Sequence, residues 1–246
     1  MYSHRSSTGP VDLAFTDRYD GVSAVPFDSL NLALVGEDDP VSTARNVALL
    51  LEDFAPGAAL ADMEQVHGAT VLDLDRDAAG AADGAVTTRA GVVCAVLTAD
   101  CLPVIFASRD GGRVGVAHAG WRGLLSGVLP AAVRALRAPP ADIIAWLGPA
   151  ISAASYEVGA EVRDAYLERD AGADEAFRPN ARGRWQADLY ALARASLAKA
   201  GVGSVHGGGL CTYGDADRFF SHRREAPCGR FATLVWLTPS DTADGR

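Results

Sequence analysis

The sequence predicts an α+β fold built on mixed β-sheets, and three observations carry that prediction. Short β-branched runs outnumber the amphipathic helical stretches. Several of those runs adjoin with only a turn between them, and no strict strand–helix alternation runs through the chain. With 246 residues and 49% hydrophobic content, the chain can bury one large core. No linker-like stretch divides it, so residues 1–246 are expected to form one domain.

Taken in order, residues 11–15, 22–25 and 30–34 read as strand-like pieces with polar breaks. Asp38, Asp39 and Pro40 then announce a helix over 40–53, with acidic residues at the cap and proline at the first helical position. Val41, Ala44, Val47, Ala48 and Leu51 follow at helical spacing and would supply its apolar face. Residues 59–64 and 70–74 are strand candidates on either side of a Gln65-Val66-His67-Gly68 corner. Asp83-Gly84 reads as a turn into the central strands 92–97, 102–107 and 114–117, which are short, β-branched and bounded by Gly, Asp and Pro. Arg109-Asp110-Gly111-Gly112 makes the last two a hairpin.

Residues 124–136 read as a helix in which Pro130 predicts a kink or a late start. A strand over 143–147 is ended by Gly148-Pro149. A helix over 158–169 and a Gly/Asp/Arg-rich loop over 170–184 follow. A helix over 186–200 is closed by Gly201. Residues 202–210 are glycine-laden, 231–237 form the last strand, and the polar residues 240–246 are expected to fray.

The net charge of −9 argues against a nucleic-acid partner and leaves room for a small anion held by local arginines. No apolar run approaches the roughly 18–20 residues of a membrane span, and the amino terminus lacks a signal-peptide core. A cytoplasmic protein acting on small molecules is expected. The four cysteines (Cys94, Cys101, Cys211, Cys228) lack scaffold or CxxC spacing, so they are expected to be free thiols, with Cys94, Cys211 and Cys228 structural.

His67, Cys101 and His118 stand out as soft-metal ligands, each at the end of an expected strand beside Gly or Asp. Two imidazoles and one thiolate suit zinc, and three protein ligands leave one coordination position open. A lone histidine is more often a hydrogen-bonded structural residue, and Cys101 beside Asp100 also reads as a nucleophile with His118 as its base. Gly120-Trp121-Arg122-Gly123 leads into a helix, where backbone N–H groups and Arg122 would favour an anion; a tight turn alone also explains both glycines. Arg218, His222, Arg223, Arg224 and Arg230 form a basic group in a loop-like stretch, with Phe219 and Phe220 as its anchors. Glu157 is a pocket carboxylate or a helix cap, and Glu64 a proton donor without an assigned role.

These segments together resemble the YfiH-type laccase-domain family, whose members also carry the names polyphenol oxidase, purine nucleoside phosphorylase and peptidoglycan editing factor. The resemblance rests on FDSLNLALVGEDDP, EQVHGATV, ADGAVTT, LTADCLPV, VAHAGWRG, LGPAIS, SYEVG, LCTY, FFSHRRE and GRFA, in that order along most of the chain. It implies mixed β-sheets between helical layers (α/β/β/α), a fold also seen in a toxin with a cysteine-hydrolase site. It further implies zinc, with copper as the other metal, on His67, Cys101 and His118. The implied activity is phosphorolysis of adenosine, inosine and methylthioadenosine together with adenosine deamination.

On this resemblance Cys101, His118 and Asp100 are the catalytic candidates. The substrate-binding candidates are Asn31, Arg45, Asn46, Gln65, Arg122 and Arg223. Two positions depart from the pattern. Val47 follows Asn46 where the family has arginine, leaving Arg45 about 200° around the helix as a substitute, and His222 stands where tyrosine is common. A cysteine-dependent amidase or hydrolase on a cell-wall precursor, a copper phenol oxidase and a binding module are the other readings. Five histidines in all are too few for a blue site and a trinuclear copper cluster together.

Overall fold

Alternation along the strands decides the layers. The computed structural model of the chain describes residues 4–60 and 63–238. Its elements begin with β1 (His4–Thr8), β2 (Val11–Phe15), α1 (Pro40–Phe54), β3 (Ala59–Leu60), β4 (Met63–Glu64), β5 (Val71–Asp73), β6 (Gly80–Ala81), β7 (Gly84–Thr87) and β8 (Val92–Thr98). The middle of the chain forms β9 (Leu102–Ser108), β10 (Val114–Ala119), α2 (Trp121–Ser126), α3 (Val128–Ala135) and β11 (Ile143–Leu147). The last third contributes β12 (Glu157–Val158), α4 (Ala160–Leu167), β13 (Phe177–Pro179), β14 (Trp185–Ala187), α5 (Leu189–Lys199), β15 (Ser204–Gly207), α6 (His222–Glu225) and β16 (Phe231–Leu237).

One sheet runs β1-β2-β16-β8-β3 and a second β15-β11-β9-β10-β7-β5, both mixing parallel and antiparallel pairs. Successive strand residues point to opposite faces. Val11, Leu13, Val96 and Val235 of the first sheet therefore meet Ile105, Val114 and Val116 of the second. The residues between them (Ala14, Val93, Ala95, Leu234, Trp236) face Leu50 and Phe54 of α1. Leu102, Val104, Phe106 and Ala117 face the other way, onto α2, α3, α4 and α5. The result is the α/β/β/α arrangement. Each buried aliphatic or aromatic side chain in it contributes roughly 1.5–3 kcal/mol.

Helix α1 starts where expected, with the Asp39 carboxylate accepting from the N–H groups of Val41 and Ser42. Its buried face keeps only part of the expected stripe: Val47 and Leu51 pack, partly buried, against the core. Thr43, Asn46, Leu50 and Phe54 are buried, while Val41 is 76% exposed. The face is turned because Asn46, a polar residue, is the one taken inward. Residues 22–25 and 30–34 form no strands. Their backbone is held by scattered partners instead: the N–H groups of Ser23, Leu30 and Leu32 donate to the carbonyls of Ser29, Arg18 and Arg230, and the Asn46 amide takes the Val22 N–H and the Asn31 carbonyl, so no continuous ladder with a neighbouring strand is needed.

The expected helix over 124–136 starts at Trp121 and breaks at Gly127, whose φ of +90° suits glycine. Pro130 then falls in the first turn of α3, where its missing N–H costs nothing. The stretch 158–169 opens as a short strand before α4. The expected loop 170–184 instead holds a 3₁₀ turn and the strand β13, because Phe177 and Ala176 are buried against the main core. Gln186 belongs to β14, so the following helix begins only at Leu189, capped by Asp188. Residues 240–246 lie outside the described residues. No helix among the described residues is long and apolar enough to cross a membrane.

Candidate metal centre

Sheet register brings the three soft ligands to one edge. β9 and β10 pair antiparallel with Ala119 opposite Leu102, so Cys101, just before β9, meets His118 near the end of β10. β7 pairs with β10 through Gly84 and Ala117, which puts Asp83 at the same edge. Gln65 ties the His67 turn to the other sheet. Its side-chain amide donates to the Leu97 carbonyl at 2.9 Å and accepts from the Leu97 N–H at 2.7 Å.

The imidazole rings of His67 and His118 lie edge-to-face with centroids 4.7 Å apart. Cys101 Sγ is 4.0 Å from His67 Nε2, and one ligand atom from each of the three residues falls within 4.8 Å of the others. Nitrogen and sulfur ligands on a shared zinc stand roughly 3.5 Å apart, given bonds of about 2.0 and 2.3 Å. Small rotamer shifts would bring the three atoms to such spacings, so the group could hold one metal ion. His118 is buried, Cys101 half-buried and His67 exposed, so the open side lies towards His67. Gly120 lets the group form: a Cβ there would stand 2.8 Å from Cys101 Sγ.

The electrostatics of Cys101 and His118 are mutual. Burial pushes the Cys101 thiol up, but hydrogen bonds and charge from His118 and His67 overcome it and pull it down to about 6. Burial disfavours the His118 imidazolium, yet the Asp83 carboxylate and the Cys101 sulfur raise it to about 9. Without metal the two groups lean towards a thiolate–imidazolium pair.

Asp83 was read as a turn residue in the sequence, and the structure gives it a larger part. Its carboxylate receives His118 Nδ1 at 2.8 Å and the N–H groups of Val66, His67 and Gly68. The ADGAVTT segment contains it, but nothing local separates it from an ordinary Asp-Gly turn.

The other site candidates divide into two kinds. Asp100 (φ +96°) accepts from the Thr212 hydroxyl at 2.6 Å and the Arg223 N–H at 2.7 Å. Its carboxylate thus joins three segments beside Cys101. Asn46 is fully buried, accepting from Val22 N–H and donating to Ser23 Oγ and the carbonyls of Ser29 and Asn31. Asn31 donates to Asp38 and accepts from the N–H groups of Ala33 and Arg230. The amides of Asn31, Asn46 and Gln65 are thus engaged within the chain.

Arg45 lies on the exposed side of α1 beside Glu52. Arg122 stacks over Trp121 at 4.4 Å and makes no ion pair among the described residues. Arg223 donates to the Glu157 carbonyl and sits 5.3 Å from the Tyr156 ring centre. Arg224 is spent on the carbonyls of Thr212, Tyr213 and Phe219, Arg218 on Asp215, and Arg230 on the carbonyls of Cys228 and Gly229. The Glu157 carboxylate is held by Asn180 and Arg182.

A profile of the multi-copper polyphenol oxidoreductase laccase family matches residues 12–238. The chain belongs to that family. Among its laccase-family relatives, a purine nucleoside phosphorylase of Pseudomonas aeruginosa is 49% identical over 223 residues, covering 90% of this chain and 91% of that protein. The purine nucleoside phosphorylase YfiH of Escherichia coli is 45% identical over 225 residues, covering 89% and 91%. A crystal structure of a Neisseria meningitidis protein superposes with a TM-score of 0.91 at 42% identity, covering 95% of this chain and 96% of that one. YlmD from Geobacillus stearothermophilus gives a TM-score of 0.85 at 31% identity, covering 94% and 93%.

The thiols of this laccase-family chain differ in a way that labelling can read. Cys94 is fully buried, and burial holds both it and Cys228 protonated. Cys211 is half-exposed, and although burial raises its thiol, donors from Ser152 and Gly214 bring it below the usual thiol range. Iodoacetamide is expected to label two cysteines in the chelator-treated protein, Cys101 and Cys211, and Cys211 alone after zinc is restored. Peptide mass mapping checks this, and zinc-independent labelling of Cys101 would count against its being a ligand.

Proposed function

We propose that this chain is a zinc-dependent purine nucleoside enzyme, splitting adenosine, inosine and methylthioadenosine with phosphate and also deaminating adenosine. The observation that carries the reading is the convergence of His67, Cys101 and His118 on one centre with an open side. The purine nucleoside phosphorylase names of relatives up to 49% identical support it. Two nitrogens and a sulfur suit zinc, and when bound it supplies a Lewis acid beside the substrate.

In phosphorolysis a hydrogen phosphate oxygen bonds to the ribose C1′ as the bond from C1′ to the base nitrogen breaks, and the base nitrogen leaves carrying the proton that the hydrogen phosphate gives up. The phosphate must be held against an electron-poor sugar carbon. Arg122, free of ion pairs among the described residues, and Arg223, anchored at the Glu157 carbonyl beside Tyr156, take that anion. Helix α2, with six residues, has too small a dipole to do so alone. Asp100 positions Cys101 and the Arg223 segment through Thr212 and the Arg223 N–H. Asn31, Asn46 and Gln65 brace the walls rather than touch the nucleoside.

The test is metal analysis combined with base release from a nucleoside panel across a phosphate titration. Arg122→Ala should raise the phosphate KM by about 10- to 100-fold, the worth of a hydrogen bond to a charged group. An unchanged phosphate KM sinks the Arg122 assignment, and phosphate-independent turnover sinks the reading.

A second reading, a cysteine hydrolase acting on a cell-wall precursor, is favoured by one observation. Asp83 engages His118 Nδ1, leaving Nε2 to serve the lowered thiol of Cys101 as base. An acyl adduct on Cys101 after chelation would establish it. A multicopper oxidase finds no support in the ligand count, since only one His/Cys group of this kind occurs among the described residues.

A further inference from the structure

One buried carboxylate reaches both imidazole-bearing segments. Asp83 is 0% exposed. Its Oδ1 accepts from His118 Nδ1 at 2.8 Å and from the His67 N–H at 2.9 Å. Its Oδ2 accepts from the Gly68 N–H at 2.6 Å and the Val66 N–H at 3.2 Å. The Asp83 carbonyl also accepts the His118 N–H at 2.7 Å. His67 holds a φ of +59°, a left-handed conformation that non-glycine residues seldom adopt. Three successive N–H groups converging on one anion offset that cost.

We propose that Asp83 is the positioning residue of the metal centre. It keeps a proton on His118 Nδ1, so that the Nε2 lone pair faces Cys101 and His67, and it holds His67 on its turn. The proposal rests on the metal-ligand reading of the three residues and not on which substrate they serve. Ligating histidines commonly carry such a partner on the second ring nitrogen, where it sets tautomer and ring orientation. Here one carboxylate does so for one ligand through its ring and for the other through its backbone.

Asp83→Asn is the informative change, because it preserves shape and removes two acceptor sites. An asparagine keeps the Val66 and Gly68 N–H bonds, one of them the shortest of the four, by placing its oxygen at the Oδ2 position. Its NH2 then points at His118 Nδ1, which must accept, and the ring proton moves to Nε2. The nitrogen facing the metal thereby loses its lone pair to a proton.

Chelator competition should show zinc binding weakened by about 10- to 100-fold in Asp83→Asn. Nitrogen-15 NMR of the ring should place the His118 proton on Nδ1 in zinc-loaded wild type and on Nε2 in the metal-free variant at alkaline pH. Melting of the metal-free proteins separates this from general loosening. A variant that is folded but binds zinc as tightly as wild type overturns the proposal. Should the variant not fold, the wild-type spectrum decides alone: a zinc-loaded His118 bearing its proton on Nε2 overturns it, and one on Nδ1 supports it. Wild type that binds no zinc removes the metal reading and this role with it. Zinc binding without nucleoside turnover defeats only the substrate assignment.

Discussion

Cys101→Ala is expected to lose its zinc and to lower kcat/KM for phosphate-dependent base release by about a thousandfold or more. A bound metal's charge stabilisation is worth several kcal/mol, and each ~1.4 kcal/mol lost is tenfold in rate. Cys101 is the single sulfur of the group and sits where β9 begins, so no neighbouring side chain can replace it. Being half-buried, it can be truncated without emptying the core. Elemental analysis and base release check the two halves separately. Full zinc occupancy in the variant would remove Cys101 from the ligand set.

The same site predicts how zinc affinity follows pH. In the metal-free protein, contact with His118 and His67 pulls the Cys101 thiol down to about 6, while Asp83 and the Cys101 sulfur raise the His118 imidazolium to about 9. Zinc displaces both protons below the lower value, one between the two, and neither above the higher value. On account of these two groups, affinity should rise about a hundredfold per pH unit below ~6, tenfold per unit between ~6 and ~9, and then level. Competition titrations with a chelator of known protonation measure this. A profile flat across neutral pH would contradict the thiolate–imidazolium pair.

Asn46→Ala is expected to destabilise the fold by about 3 kcal/mol or more and to leave the phosphate and nucleoside KM values of the folded protein unchanged. The amide is the common partner of Val22 N–H, Ser23 Oγ and two carbonyls 17 and 15 residues away in sequence. Removing it strands several buried groups at once, each costing about 1–3 kcal/mol. For a chain of this size that is a fall in Tm of roughly 6–12 °C, at ~2–4 °C per kcal/mol. Thermal melts alongside steady-state kinetics decide the matter. A variant with wild-type Tm and a raised KM would make Asn46 a substrate contact.

Local rules read well wherever an element answers to its own neighbours. Asp39 and Pro40 mark the start of α1, the Arg109–Gly112 segment closes the β9–β10 hairpin, and 143–147 and 231–237 are strands at the expected residues. The same rules miss where a segment's partners are scattered along the chain. Residues 22–25 and 30–34 have strand-like composition, but an asparagine from α1 takes some of their hydrogen bonds and isolated carbonyls of Ser29, Arg18 and Arg230 take others, so no strand ladder forms. The buried stripe of α1 turns because that asparagine is taken inward.

For the site, residue chemistry singled out His67, Cys101 and His118 as candidates, since few side chains offer soft donors at strand ends, and the family resemblance joined them into one ligand set. It did not mark Asp83, because an aspartate before glycine is what any turn contains. Nor could it separate Arg122, without an ion pair among the described residues, from Arg224, which is spent on three carbonyls.

By itself, then, the sequence determined the α+β class, the main strands, the start of α1, the family, and three soft donors. Apart from the family, which rests on the resemblance of many segments in order, these follow from periodicity, turn chemistry and residue type, all readable within a few positions. The tertiary structure decided which amides are taken up by hydrogen bonds within the chain, which arginines lack ion pairs among the described residues, and which carboxylate lies against His118. Asp83 and His118 are 35 residues apart, and Asp100 and Arg223 are 123 apart. Hydrogen bonds across such separations depend on the register of distant strands, which no local pattern records.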